Sequence, residues 1–440
     1  MQPEGRALPG LDEFMLRLGH LTVLCQAAVE NGGSAHRFER EAVERFTRLV
    51  QVPTESLSDV AAYLLAKRLC PTADQRASLD FDESEFRYPE IVIKCPSELC
   101  TVEPWRPNGR VEIFWQDLCL AANGVPSRVG SITTNAKRGS KTGISHVIDW
   151  ASMLDLVSSS GAPFVTAQLV AKFNSPAGRS ANPYLLGNER LVFAFQILKS
   201  DFDVFSALAV SLSARAAALG KKEATEEYVR VVESIADAAE RTKSISQRQR
   251  HNLFSLWKDL RRSGRNSIIA STAWHRAASR FETYVDLGFL RKGDSGEQER
   301  YAYKYHVTPR LQEIVRSLKS SKDAEAWLDD HLVNCVLGLK SSDETIEPEE
   351  LLKFLPLVVE PLARPTSPLP IETLMLGLAW LFADLNRAVT LGAARRSIEG
   401  LAIKRPDIAR LSTGTKSRAE YISLFLGGSK HGRDAETNSV

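Results

Sequence analysis

Three stretches of this chain repeat one order of predicted elements, and that order limits what the chain can fold into. Each stretch reads as helices, a polar turn, another helix, and then two short strands around a turn that contains glycine or serine. The three stretches are residues 111–173, 245–307 and 371–426. They share this order rather than alignable residues, so the repeat is weak. The pattern predicts a mainly α-helical, multi-domain protein with short β-hairpins.

The middle stretch, residues 245–307, shows the order most clearly. "ISQRQRHNLFSLWKDLRRS" predicts an amphipathic helix, because Leu253, Leu256 and Leu260 recur at helical spacing. After the turn at Gly264, "NSIIASTAWHRAASRFETYVDLG" predicts one short helix and one longer helix. "FLRK" and "RYAYKYHV", on either side of a polar turn, predict a hairpin.

This order of elements resembles a winged helix-turn-helix, and "TAWHRAASRFETYVDLGFLRKGDSGEQERYAYKYHVT" carries the resemblance. The resemblance is to an architecture and points to no specific family. It implies two or three winged-helix-like units joined by helical segments. It also implies that the helix at 272–287 enters a groove of double-stranded DNA while the hairpin acts as a wing. Double-stranded RNA fits less well, because its major groove is too narrow for a helix.

At 440 residues the chain is too long for one compact core, so we expect several domains. Stretches rich in proline, glycine and serine, such as "NSPAGRSANP" and "VEPLARPTSPLP", mark boundaries between them. The predicted division is an N-terminal helical domain at 1–110, a winged-helix-like unit at 111–180, a helical connector at 181–240, a basic winged-helix domain at 241–320, a C-terminal helical and winged-helix-like domain at 321–427, and a disordered tail at 428–440.

The positive charge of the chain is concentrated in one block. The formal net charge is only +2, yet residues 241–320 hold 17 Lys and Arg against 7 Asp and Glu. Clustered cations favour a polyanion partner, because each phosphate contact releases condensed counterions. This block contains the clearest of the three stretches, so charge and element order both indicate DNA binding there.

The candidate DNA-contacting residues follow from helical spacing. In 272–287 the apolar side chains fall on one stripe, so we expect the opposite stripe to face solvent and reach bases and phosphates. Cations before this helix and on the hairpin strands would contact the DNA backbone. The acidic turn "GDSGEQE" should stay away from phosphates. The predicted contact residues are Arg261, Arg262, Arg265, Thr272, His275, Arg276, Ser279, Arg280, Lys292, Arg300 and Lys304.

A second basic segment, "NAKRGSKTG" at 135–143, resembles a phosphate-binding loop only superficially. The loop motif needs glycine directly before lysine, and here Ser140 separates Gly139 from Lys141. A basic turn leading into a helix fits better, and an exposed loop fits equally well. Lys137, Arg138 and Lys141 are therefore secondary candidates for DNA contact.

Two other functions remain open from the sequence. The first is a scaffold or adaptor subunit that uses winged helices for protein–protein contacts, since the fold alone does not decide function. The second is a divergent metal-dependent nuclease, for which Glu90 and Lys94 on "EIVIK" are the nearest candidates, at an unusual spacing. The sequence shows no nucleophile, metal or nucleotide motif, so we expect a non-enzyme without a cofactor.

The remaining features of the sequence indicate the cellular compartment of the protein and its assembly with other proteins. Six scattered cysteines in a chain of this size are typical of free thiols in a reducing compartment, and zinc ligands at matching spacing are missing. The first residues lack an export signal and no apolar run reaches membrane-spanning length, so we expect a cytoplasmic protein. The apolar helical segment at 182–214 looks similar to segments of prokaryotic defence systems, and this resemblance implies a subunit of a larger assembly of the antiviral defence type.

Overall fold

A computed structural model describes part of the chain, in several segments. They are residues 4, 6–8, 18–31, 143–158, 161–174, 188–215, 217–241, 246–263, 267–294, 303–360, 362, 368–413 and 419–425. Helices dominate this part of the chain and its strands are few and short, which confirms the prediction of a mainly α-helical protein.

The elements run in the following order along the chain. The first five helices are α1 (Gly19–Asn31), α2 (Gly143–Met153), α3 (Val165–Asn174), α4 (Glu189–Ser213) and α5 (Lys221–Arg241). The middle elements are α6 (Gln247–Ser263), α7 (Ser267–Asp286), β1 (Leu290–Asp294), β2 (Tyr303–Val307), α8 (Pro309–Ser320) and α9 (Ala324–Leu337). The last elements are β3 (Ser341–Ser342), α10 (Pro348–Val359), β4 (Leu369–Pro370), α11 (Ile371–Asp384), β5 (Ala388–Val389), α12 (Leu391–Lys404), β6 (Ala409–Thr413) and β7 (Ala419–Leu424).

Helix α4 lies at the centre of the packing. Its residues are apolar around most of its circumference, and it contacts α3, α5, α8, α9 and α11. An all-round apolar helix is stable only when other elements cover every side of it. The helix bends at Asp201, where the backbone leaves the helical region with φ −121° and ψ 22°. Before the bend, Lys199 pairs with Glu372 of α11, and after it Ser211 bonds to Glu227 of α5.

Helices α5, α6 and α7 pack on one another, and a small sheet follows them. Strands β1 and β2 pair antiparallel with Leu290 opposite Val307 and Lys292 opposite Tyr305. Leu219, just before α5, forms a bridge with Tyr305 through two backbone hydrogen bonds of 3.0 and 2.8 Å. The order across this sheet is therefore Leu219, β2, β1, and the segments that enter and leave the three helices, Leu219 and β1, lie on either side of β2.

The C-terminal part repeats this order. Helices α11 and α12 are followed by the hairpin β6–β7, and β4 pairs with β7, so that the strand order is β4–β7–β6. The sequence predicted both helices and both strands of this stretch. Helix α12 begins after Thr390, whose hydroxyl accepts a 3.0 Å hydrogen bond from the Ala393 N–H. This is a common N-cap, and it satisfies a backbone donor at the helix start.

Two local predictions are wrong. Residues 267–286 form one continuous helix, α7, instead of a short helix followed by a longer one. Residues 165–174 form helix α3, although the order of elements predicted for residues 111–173 ends in a strand. Ala167, Val170 and Ala171 are buried, and α3 contacts α1, α4 and α11, so extensive burial obscures its helical period.

Among the helices of the described segments, none combines the length and the apolar character needed to cross a bilayer.

Candidate nucleic-acid interface

Helix α7 is the element that the sequence assigns to DNA reading, and its C-terminal half is buried on all sides. Every residue from Ala277 to Leu287 is buried. Phe281 packs against Tyr305 of β2 with ring centroids 4.9 Å apart, while Tyr284 packs against Phe205 of α4 at the same distance. The hairpin and α4 thus both pack on this half of the helix.

The prediction that one stripe of α7 faces solvent is therefore wrong at Ser279 and Arg280. The side chains of Ser279 and Arg280 are buried, and Arg280 is only 4% exposed. The Arg280 Nε donates a 2.8 Å hydrogen bond to Asp201, and its terminal nitrogen donates to the other Asp201 oxygen at 3.0 Å. The same nitrogen donates to the backbone oxygen of Leu8 at 2.9 Å. With its donors directed inward, this guanidinium cannot contact a phosphate in this conformation.

The charged forms of Arg280 and Asp201 stabilise each other because the two side chains are close together. Burial lowers the pKa of the Arg280 guanidinium, whereas Asp201, together with Tyr228 and Tyr284, raises it, and the net shift is upward. Burial also raises the pKa of Asp201, and Arg280 and the Leu8 N–H act against that rise. The Arg280 guanidinium lies 5.1 Å from the centre of the Tyr228 ring, which adds a cation–π contact from α5. Arg280 therefore joins α7 to α4 and α5.

The N-terminal half of α7 retains the residues that matter for the DNA hypothesis. Ala273 is buried, which places one face of this half against the helical core, and Arg276 is half-buried. Thr272 and His275 lie in this half of the helix. In helix-turn-helix proteins the N-terminal residues of the recognition helix are the ones that contact base edges. The three remaining candidates on α7 thus lie in the half suited to that role.

The hairpin is held tightly at one strand. Tyr305 is fully buried, and its hydroxyl donates a 2.8 Å hydrogen bond to the Glu282 carboxylate of α7. The neighbouring Lys304 and His306 are half-buried, as expected when strand residues alternate between faces. The position of β2 relative to α7 is therefore determined by the contact of Tyr305 with the core.

The other predicted residues are placed as follows. Arg261 and Arg262 lie in the last turn of α6, directly before α7, and Lys292 lies in β1 opposite Tyr305. Arg265, Arg300, Lys137, Arg138 and Lys141 lie outside the described residues, as do Glu90 and Lys94 of the nuclease alternative. Within the described segments, His, Cys, Asp and Glu side chains form no group of three or more that could hold a metal ion.

A concave surface that the sequence reasoning missed lies beside the hairpin. It is lined by Arg215, His306, Thr308, Gln312 and Arg316, among other residues. Arg215 forms an ion pair with the buried Glu227, so its charge is largely neutralised within the protein. Arg316 is exposed and belongs to the basic block of 241–320, which is the one signal that could have pointed to it.

Comparisons with protein-family models, with curated proteins and with solved structures found no match to this chain.

Proposed function

We propose that the protein is a non-catalytic, cytoplasmic double-stranded DNA-binding protein, and that residues 241–320 are its principal contact module. The observation that carries the proposal is the arrangement of α5, α6, α7, β1 and β2 with the strand order Leu219, β2, β1. Helices followed by a hairpin, with an earlier segment pairing beside its second strand, resemble the arrangement of a winged helix and support the proposal. The concentration of cations in the same residues supports DNA as the partner.

In this proposal the N-terminal half of α7 enters the major groove. Thr272, His275 and Arg276 reach base edges or phosphates from it, while Ser279 and Arg280 hold the helix in the core. The major groove of B-form DNA is wide enough for such a helix. Cations on the flanks contact the backbone on either side, namely Arg261, Arg262, Arg265, Lys292, Arg300 and Lys304. Lys137, Arg138 and Lys141 stay secondary candidates.

The test replaces cations of the module and leaves the buried pair intact. Arg261, Arg262 and Arg276 are changed together to glutamate, and binding to a short duplex is measured by fluorescence anisotropy. We expect the triple variant to lose at least about a hundredfold in affinity, because phosphate contacts become repulsions. The matched control is Lys340→Glu, Lys353→Glu and Lys404→Glu, three exposed lysines outside the module that change net charge equally.

The control variant should bind like the original protein. Equal loss in both triple variants would mean that net charge alone drives binding and would reject the module. Binding that neither set of substitutions weakens would reject the DNA proposal altogether. Circular dichroism of each variant establishes that it is folded.

A second candidate, a scaffold or adaptor subunit, is favoured by the C-terminal unit of residues 348–425. This unit also has helices followed by a hairpin, with two helices between β4 and β6, yet the start of the second of them, α12, is buried, with Gly392 close to Asp329 and Asp330 of α9. Its exposed surface carries apolar side chains instead, with Ile403 at 78% and Phe425 at 51% exposure. Exposed apolar groups of this kind suit a protein partner. Co-purification with a protein, unaffected by high salt and without nucleic acid, would support this candidate over the first.

Membership in a larger assembly, including one of the antiviral defence type, is compatible with both candidates and is part of the proposal. It is carried by the resemblance of residues 182–214 to segments of such systems. Isolation of the chain from its native cells under low salt, followed by identification of bound proteins, tests this part separately.

A further inference from the structure

The start of the chain is bound across the bend of α4 by side-chain carboxylates. The backbone N–H of Glu4 donates to both Asp203 carboxylate oxygens at 3.1 and 3.0 Å, and that of Arg6 donates to one of them at 2.9 Å. The Leu8 N–H donates to Asp201 at 2.8 Å. These residues, 4 and 6–8, are called the N-terminal strap below. Their N–H groups at alternate positions point to one side, as in extended backbone.

The receiving surface is built from buried charged groups. Asp201 is 2% exposed and Asp203 is 6% exposed. The Asp203 backbone N–H also donates to the Arg6 carbonyl at 3.1 Å, so donors and acceptors are exchanged with the strap. Arg280 completes the surface by donating to the Leu8 carbonyl at 2.9 Å. Buried carboxylates are costly unless such donors satisfy them, so the surface is adapted to an extended backbone.

The strap also connects helices that are far apart in sequence. The Glu4 carboxylate accepts a 2.9 Å hydrogen bond from the Ala324 N–H in the first turn of α9. A carboxylate there is favourable, since the first N–H groups of a helix lack partners within it. Further along, the Leu18 N–H donates to the Asp286 carboxylate at the end of α7 at 2.7 Å. The start of the chain thus touches α4, α7 and α9.

We propose that the bend of α4, formed by Asp201 and Asp203 together with Arg280, is a binding site for an extended peptide segment. In this chain the N-terminal strap fills the site and thereby holds α7 against α4. Recognition is through backbone N–H and carbonyl groups, with Glu4 adding contact to α9. The inference does not rest on DNA binding, because peptide binding and protection of α7 can be measured without nucleic acid.

The first experiment compares two substitutions at one position in the full chain. Arg6→Pro removes the N–H that donates to Asp203, whereas Arg6→Ala keeps that N–H and removes only the side chain. We expect amide hydrogen exchange of residues 277–286 to be about tenfold faster or more in Arg6→Pro than in the original chain. Arg6→Ala should stay within about threefold, because its ion pairs are near the surface. Equal exchange in the two variants would overturn the proposal.

The second experiment supplies the strap as a separate molecule. A labelled synthetic peptide of residues 1–10 is added to a chain that lacks them, and binding is followed by fluorescence anisotropy. We expect the Arg6→Pro peptide to bind about ten- to a hundredfold more weakly than the Arg6→Ala peptide. The full-length chain should bind the original peptide poorly, since its site is filled. Equal binding of the two substituted peptides, or equal binding to full-length and shortened chains, would overturn the proposal.

If the shortened chain does not fold, the substitutions in the full chain decide the question alone. If the original protein does not bind DNA, the proposed function is rejected. The hydrogen-exchange and peptide-binding measurements would not be affected by that result.

Discussion

Arg280 and Asp201 form an ion pair that is buried in the contact between α7 and α4, although the two residues are 79 positions apart in the chain. Removing charged groups from water costs several kcal/mol per ion, and close opposite charge with additional hydrogen bonds offsets that cost. The guanidinium here makes bonds to both carboxylate oxygens and to the Leu8 carbonyl. A cation that looks available for DNA in the sequence is thus part of the core.

Arg280→Met should be strongly destabilising, because it leaves the Asp201 carboxylate buried without its cation. We expect the free energy of unfolding in urea to fall by about 3–5 kcal/mol. Arg230→Met is the matched control. Arg230 also forms an ion pair, with Glu227, but its own side chain is 62% exposed. The control should cost less than about 1 kcal/mol. Similar costs for the two variants would contradict the buried pair.

The two cysteines of the described residues, Cys25 and Cys335, are buried. Burial raises the pKa of the Cys335 thiol to about 11 and also raises the pKa of Cys25. The thiolate is the nucleophile, so a raised pKa and low access both slow alkylation. We expect iodoacetamide to modify both residues at least about a hundredfold more slowly in the native protein than in urea, measured by peptide mass spectrometry. Equal rates in both conditions would contradict this placement.

At the scale of elements, α11 packs closely against two other helices because of one glycine. A Cβ atom at Gly377 would lie 2.5 Å from Val358 Cγ1 of α10 and 3.2 Å from Leu169 Cδ1 of α3. A contact of 2.5 Å is shorter than side chains tolerate, so a larger residue would push α10 away. Gly400 in α12 is a useful contrast, since nothing lies within 4 Å of a Cβ placed there.

The same substitution at these two glycines should have opposite effects. We expect Gly377→Ala to lower the free energy of unfolding by about 1–3 kcal/mol through overpacking. Gly400→Ala should raise it by about 0.5–1 kcal/mol, because alanine costs less backbone entropy in a helix. Urea denaturation of both variants measures the two effects. A stabilising Gly377→Ala would show that the helices are farther apart than described.

For the whole molecule, the distribution of charge leads to a prediction about salt. Seven of the proposed contact residues in the basic module are cations, once the buried Arg280 is removed from the set. A DNA complex that used all seven would show a slope of log affinity against log salt of about −6, at about −0.9 per phosphate contact. We expect the measured slope to lie between zero and that limit. The triple variant of Arg261, Arg262 and Arg276 should flatten it by up to about 3.

A slope steeper than this limit would indicate phosphate contacts outside the module, for which Lys137, Arg138, Lys141 and Arg316 are candidates. A slope near zero with retained affinity would contradict contact through phosphates and favour the adaptor function.

Local sequence patterns predicted two helices and two strands within residues 371–426, and these correspond to α11, α12, β6 and β7. The patterns failed at α3 and α7. Helix α3 was taken for a strand because apolar residues surround much of it. The stripe on α7 was expected to be exposed, although Arg280 on it contacts Asp201 of α4 and Tyr228 of α5.

The sequence by itself determined that this protein is mainly helical with short hairpins, and that its cations are concentrated in residues 241–320. It did so because periodicity and charge are properties of neighbouring residues. Only the tertiary structure decided that Ser279 and Arg280 belong to the core, that Asp201 is the partner of Arg280, and that the start of the chain lies across α4. Burial and ion pairing depend on which distant segments meet, and local periodicity carries no information about that.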